Sequence, residues 1–256
     1  MTSIRASSVL GMRFAAPNNA LTTIPALYPD GPSGGSIAHV ATGNGWQTTF
    51  VLVNMFDTPA PVQLNFFADN GSPLTLPIGF PQTGATNTAS VVNQTLAGNA
   101  TLLIQSAAAA SDPAPTVGSA QLTTNANVAG FVIYRYTPNN QEAVVPLETR
   151  TVNAYILAFD NTAGTATGVA VNSVSSQAVN VPVVIRDDAG DVLATDILNL
   201  AANGHAAFTL ATDRYPETAN IRGTIEFDTP SGGQIGALAF RIPAAHTFTT
   251  LPALAK

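Results

Sequence analysis

Cysteine is absent from all 256 residues. That excludes disulfides and thiolate metal sites, and it leaves the cellular compartment open. Lysine occurs once, as Lys256, and the arginines are scattered without forming a stripe. A surface that tracks phosphates needs clustered cations, so nucleic-acid binding is excluded as a role. Charged residues make up 9% of the chain and the net charge is −6, where an ordinary globular domain carries about a quarter charged residues. Such a surface steers charged ligands poorly. No apolar run approaches the ~20 residues of a membrane-spanning helix, so membrane insertion of that kind is not expected. Met1-Thr-Ser-Ile-Arg-Ala-Ser-Ser8 has no basic region followed by an apolar core, so it does not read as a signal peptide. The expectation is a trimmed exported form or a piece of something longer.

What is present is apolar and punctuated. Apolar residues make up 46% and mean hydropathy is +0.22, with 18 prolines and 20 glycines. The chain also repeats itself. Gly130-Phe-Val-Ile-Tyr-Arg135, running to Pro146, matches Gly236-Ala-Leu-Ala-Phe-Arg241, running to Pro252. Thr49-Phe-Val-Leu-Val-Asn54 matches Thr167-Gly-Val-Ala-Val-Asn172, Phe67–Gly71 matches Arg186–Gly190, and Leu96–Asn99 matches Leu200–Asn203. Two copies follow, 37–149 and 150–256, the first with an insertion around Pro81–Gln94. A partial copy, Ser8-Val-Leu-Gly-Met-Arg13-Phe running to Leu27, reads as a closing hairpin over 1–27, joined by a linker over 28–36.

Within each copy short β-branched and aromatic runs alternate with turn signals such as Asn70-Gly71 and Ala189-Gly190. About seven such strands per ~105 residues predict an all-β fold. It consists of two tandem Ig-like antiparallel β-sandwich domains preceded by the partial-repeat β-hairpin. Single helical turns are expected at Ser106–Ser111 and Thr212–Glu217. The expected core includes Val51, Val53, Leu64, Phe66, Leu103, Phe131, Ile133, Val169, Val171, Val183, Phe208, Ile225, Leu238 and Phe240.

Several segments resemble a recurring module of large, mostly uncharacterised secreted proteins of environmental bacteria. They are Ser36–Asn54, Gln141–Thr149, Phe159-Asp-Asn-Thr162, Asn203-Gly-His205 and Arg222–Pro230. The resemblance implies tandem Ig-like modules and export. It carries over no catalytic residue.

Residues with chemistry are few. His39, His205 and His246 have no partner at metal-ligand spacing and read as structural or solvated. The Gly-x-Ser-x-Gly match Gly31-Pro-Ser-Gly-Gly35 lies in the linker and not at a strand-to-helix turn, so it does not support a hydrolase nucleophile. Asp187, Asp188 and Asp191 flank the Ala189-Gly190 turn; they are turn formers or, less simply, a cation site. Trp46 either caps a sandwich end or stacks on a flat ligand such as a sugar. Arg13, Arg135 and Arg241 recur in the repeat, which suggests an architectural role such as bonding the adjacent turn. No cofactor is implied.

The expected function is a non-catalytic extracellular structural or spacer module of a secreted or cell-surface bacterial protein. The alternative is an adhesion module for carbohydrate or another surface ligand. Residues 1–27 bear on partners, because an isolated hairpin cannot bury its apolar face. Val9, Leu10, Met12, Phe14, Leu21, Ile24 and Leu27 would complete a missing upstream domain of a longer chain. Otherwise they would dock on another copy by strand addition and build a filament. Folding back on the first domain ranks below both.

Overall fold

The computed structural model describes residues 11–15, 20–27, 33–244 and 247–256. They form an all-β fold in which neighbouring strands pair antiparallel. The strands are β1 (Gly11–Ala15), β2 (Ala20–Ile24), β3 (Gly35–Thr42), β4 (Trp46–Asn54), β5 (Ala60–Phe67), β6 (Leu76–Phe80) and β7 (Ala85–Ala89). Next come β8 (Val91–Leu96), β9 (Thr101–Ser106), β10 (Thr116–Thr124), β11 (Val128–Tyr136), β12 (Gln141–Pro146), β13 (Ala154–Asp160) and β14 (Ala166–Ser173). The rest are β15 (Val179–Asp187), β16 (Val192–Leu200), β17 (His205–Thr209), β18 (Arg222–Asp228), β19 (Ile235–Ile242), β20 (Thr249–Leu251) and β21 (Leu254–Ala255).

The sheets fall into two sets with no ladder between them. Residues 35–146 supply the orders β3-β10-β5-β8 and β12-β11-β4-β9-β6-β7. Residues 154–255 supply β16-β15-β18-β13-β21 and β17-β14-β19-β20. In the first set, Phe50, Leu52 and Val132 of one sheet meet Leu64, Phe66 and Leu122 of the other, with Phe50 edge-on to Phe66 at 5.7 Å. In the second, Val169, Val171 and Ala239 meet Val183, Ile225 and Phe227. Both are sandwich cores filled by alternate residues of each strand.

Hydrogen bonds fix how the two halves correspond. Thr48 Oγ1 donates to the Ala41 carbonyl (2.7 Å) and accepts from the Ala41 amide (3.0 Å). Thr167 does the same with Asp160 (3.3 and 3.2 Å). Asn54 and Ser173 each accept the amide two residues on. Asn99 and Asn203 share a left-handed backbone, φ 57° and 55°. Thr48 therefore corresponds to Thr167, Phe50 to Val169 and Asn54 to Ser173. The sequence alignment of Asn54 with Asn172, and of Arg135 with Arg241, is one residue out of register.

That single residue matters because the strand period is two. Val51, Phe131 and Ile133 were expected inside the first sandwich. They lie on its outer face instead, under the N-terminal segment. Their counterparts Ala170, Leu238 and Phe240 lie on the outer face of the second sandwich, against the first. Leu103 and Phe208 are only half-buried.

Two further expectations change. Gly71 to Leu96 spans 25 residues where Gly190 to Leu200 spans 10. The surplus forms the β6–β7 hairpin, which seats Leu76 and Ile78 in the core, while residues 91–94 belong to β8, the counterpart of β16. The helical turns are Leu210–Arg214 and Pro216–Thr218; over 106–111 no helix forms, and the chain leaves β9 extended before a single hydrogen-bonded turn in which the Asp112 amide donates to the Ala109 carbonyl.

The hairpin β1–β2 folds back on its own chain, the arrangement ranked lowest from sequence. Ile24 and Leu27 pack on Phe131, Ile133 and Val144, and the Arg13 guanidinium bonds Glu142 at 2.5 Å. The reason is the apolar outer face of β11 and β12: Phe131 and Ile133, expected in the core, lie on it and need a cover. Met12, Phe14 and Leu21 remain exposed on the other side, as a lone hairpin demands.

Candidate functional site

The polar and aromatic groups that sequence reasoning left scattered converge on the seam between the two sandwiches. On one side β3 runs along the seam; on the other are β14, β17 and β19. Phe240 of β19 stands edge-on to Tyr134 of β11 at 5.1 Å and to Phe248 at 5.6 Å. Trp46 lies 5.1 Å from both Phe248 and Tyr136. The Trp46 ring thus bridges the sandwiches by packing. Phe131 and Ile133, assigned to the core, serve under the hairpin instead.

Beside the aromatic row lies a chain of titratable groups. The Asp69 carboxylate Oδ1 is 2.7 Å from His205 Nδ1, and His205 Nε2 is 3.2 Å from His39 Nδ1. The two imidazoles overlap with centroids 5.3 Å apart. Tyr134 donates its hydroxyl to the His39 carbonyl at 2.5 Å. His205 is buried, and its backbone amide donates to the Asp69 carbonyl at 3.1 Å. His39 is half-buried as a residue, with its ring between those of His205 and Tyr134.

Local structure explains the placement. Asp69 sits in the turn after β5, where Asn70-Gly71 reverses the chain and Gly71 takes φ 78°. His205 opens β17 after the left-handed Asn203. His39 lies at a β-bulge: between Gly118 and Ala120 the ladder to β3 slips, so Ala38 and His39 both oppose Ser119. Bulges re-aim side chains. Where the first half has this pair, the unbulged β13 has the single residue Ala158.

Electrostatics follow from burial and contact. Loss of solvent, then the neighbouring His205, pushes His39 down to about 3, although Asp69 opposes the shift. The bond to His205 holds Asp69 below the usual carboxylate range. Burial raises the Tyr134 phenol. With Asp69 ionised, His205 Nδ1 is the donor, Nε2 the acceptor, and His39 Nδ1–H the donor to it.

The other candidates stay apart from this cluster. Asp187 Oδ1 accepts the amides of Ala189 and Asp191, as a turn former does, while Asp188 is exposed. Among the described residues no group of three or more His, Asp or Glu is placed to hold a metal ion. Arg135 bonds Asn140 in its own hairpin turn, and Arg241 bonds Asp160. Val9, Leu10 and His246 lie outside the described residues. A cleft of about 660 Å³ opens where the segments around Pro25, Pro146 and Pro252 run beside β3 and β19. Its walls are mostly apolar, and the Glu148–Arg150 ion pair contributes charge.

The Asp69–His205 pair escaped sequence reasoning because 136 residues separate its members. One signal was available: the repeat places Thr101 at the position of His205. The structural register places Ala158 at that of His39, and both are exposed. Comparison with family models, with curated proteins and with solved structures gives no match.

Proposed function

We propose that this chain is a non-catalytic structural or spacer module of an exported protein. The observation that carries the reading is how each sandwich is covered. The outer face built from Val51, Phe131 and Ile133 is covered by the hairpin segment that precedes it. The corresponding face of Ala170, Leu238 and Phe240 is covered by the sandwich that precedes it. Strand β2 packs beside β12, and β12 beside β20. An arrangement in which each unit seats on the one before suits a rigid series of modules. The sparse charge supports a passive surface, and the resemblance to secreted bacterial modules supports export and an extracellular or cell-surface location.

The adhesion alternative leans on Trp46 as a platform, yet that ring is engaged by Tyr136 and Phe248. Solution scattering of the whole chain at neutral pH tests the spacer reading. One fixed arrangement of the two sandwiches is expected; a curve that requires a broad ensemble of interdomain angles would overturn it. Dose-dependent binding on a glycan array, abolished by Trp46→Ala, would favour the alternative.

A further inference from the structure

We propose that Asp69, His205 and His39 make the seam a proton-operated latch, closed when both imidazoles are neutral and parting when they are both charged. Three features support this. The groups come from both sides: Asp69 and His39 from the first sandwich, His205 from the second. The histidines occur at the seam and not at the corresponding exposed positions, Ala158 and Thr101, so the repeat fold does not need them. A bulge peculiar to β3 delivers His39 to its partner.

The chemistry of opening follows from the bond order. In the closed state Asp69 accepts from His205 Nδ1–H, and His205 Nε2 accepts from His39 Nδ1–H. When both rings are protonated, N–H faces N–H at 3.2 Å and two positive charges share a desolvated site. Among the described residues, the charged or titratable groups facing the pair are Asp69 from the turn after β5 and Tyr134 from β11, whose phenol is neutral. From β10 and β14 the neighbours Ser119 and Asn172 carry no charge, nor does Phe240 of β19, which packs on Tyr134. One carboxylate cannot balance two imidazolium ions.

The closed state also carries a cost that opening removes. Among the described residues, the fully buried Asn172 amide and Ser119 hydroxyl have no protein partner. Asn172 lies opposite His205 on β14, and Ser119 lies opposite the bulge. Opening gives them water.

The sign is set by linkage. His39 titrates near 3 when closed and near 6.5 when solvated. Between these values the open form holds the extra proton, so each pH unit of acidification favours opening by up to about tenfold. Well above 6.5 protonation of His39 no longer favours opening.

The single tryptophan reports on the seam, since Trp46 touches Phe248. The experiment follows Trp46 emission, scattering radius and far-ultraviolet dichroism of the full chain from pH 8 to pH 4, in the wild type and in His39→Leu. The wild type is expected to show a reversible red shift and larger radius below about pH 6 with its β signal intact. In His39→Leu the midpoint should fall by at least one pH unit. His39→Gln, which keeps a polar group that does not titrate in this range, gives the same reading if His39→Leu does not fold. An unchanged seam down to pH 4, opening only together with loss of β signal, or variants that open along the wild-type profile would each overturn the latch.

Discussion

Gly71 meets Ala202 across the seam so closely that a methyl group on Gly71 would sit 1.8 Å from the Ala202 carbonyl oxygen. The turn after β5 is thus pressed against the turn before β17, and Gly71 also needs its positive φ. Gly71→Ala is expected to wedge the seam open at every pH while both sandwiches stay folded. Scattering at pH 8 checks this; an unchanged radius would show that the turns can slide apart locally.

Trp46 supplies a second test of the seam. Trp46→Ala removes contacts to Tyr136 and Phe248 from a half-buried site. The expected loss is about 2 kcal/mol, below the ~3–5 kcal/mol typical of a fully buried aromatic. Denaturant unfolding measures it.

The N-terminal cover should behave as part of the fold. Deleting residues 1–27 uncovers Phe131, Ile133 and Val144. Binding of a hydrophobic dye should rise and the melting temperature should fall. Arg13→Ala should have a smaller effect, about 1 kcal/mol, because Arg13 is half-exposed and Arg135 stays 4.0 Å from the buried Glu142. If the deletion leaves both readouts unchanged, the hairpin contributes no stabilising contact.

Asp160 gives a pH dependence of the opposite origin to that of His39. Hydrogen bonds from the Thr162 side chain and backbone, helped by Arg241 and Arg222, hold its carboxyl at about 2 instead of 3.8. A carboxylate depressed in the folded state stabilises above its free value and loses that contribution as pH falls through the folded one. The melting-temperature difference between wild type and Asp160→Asn should therefore be full above about pH 4 and shrink toward pH 2. A difference that stays constant over that range would mean Asp160 does not titrate as its partners require.

Much of the fold was legible because β patterning is local. The alternation in Val62-Gln-Leu-Asn-Phe and the turn at Asn70-Gly71 placed β5 and its reversal. What could not be read was which face of each strand turned inward. Strands β4, β11, β14 and β19 are apolar on both faces, so alternation carried no sign. The misaligned Asn54 and Asn172 then exchanged the faces. The correct match, Thr48 with Thr167, depends on side-chain bonds to Ala41 and Asp160 that no spacing announces. The seam was hidden for a related reason: His39, Asp69 and His205 belong to three strands or turns far apart in sequence, and only the docking of two sandwiches joins them.

The order in which faces are covered has a consequence for how the chain is made. Ile24 and Leu27 precede Phe131 and Ile133 in the sequence, and the first sandwich precedes Leu238 and Phe240. During synthesis, or during threading through a membrane pore with the N-terminus leading, these two outer faces emerge after the partner that will shield them. Vectorial emergence lets N-terminal units fold first. Each new apolar sheet then finds its lid already waiting, which shortens the time available for aggregation.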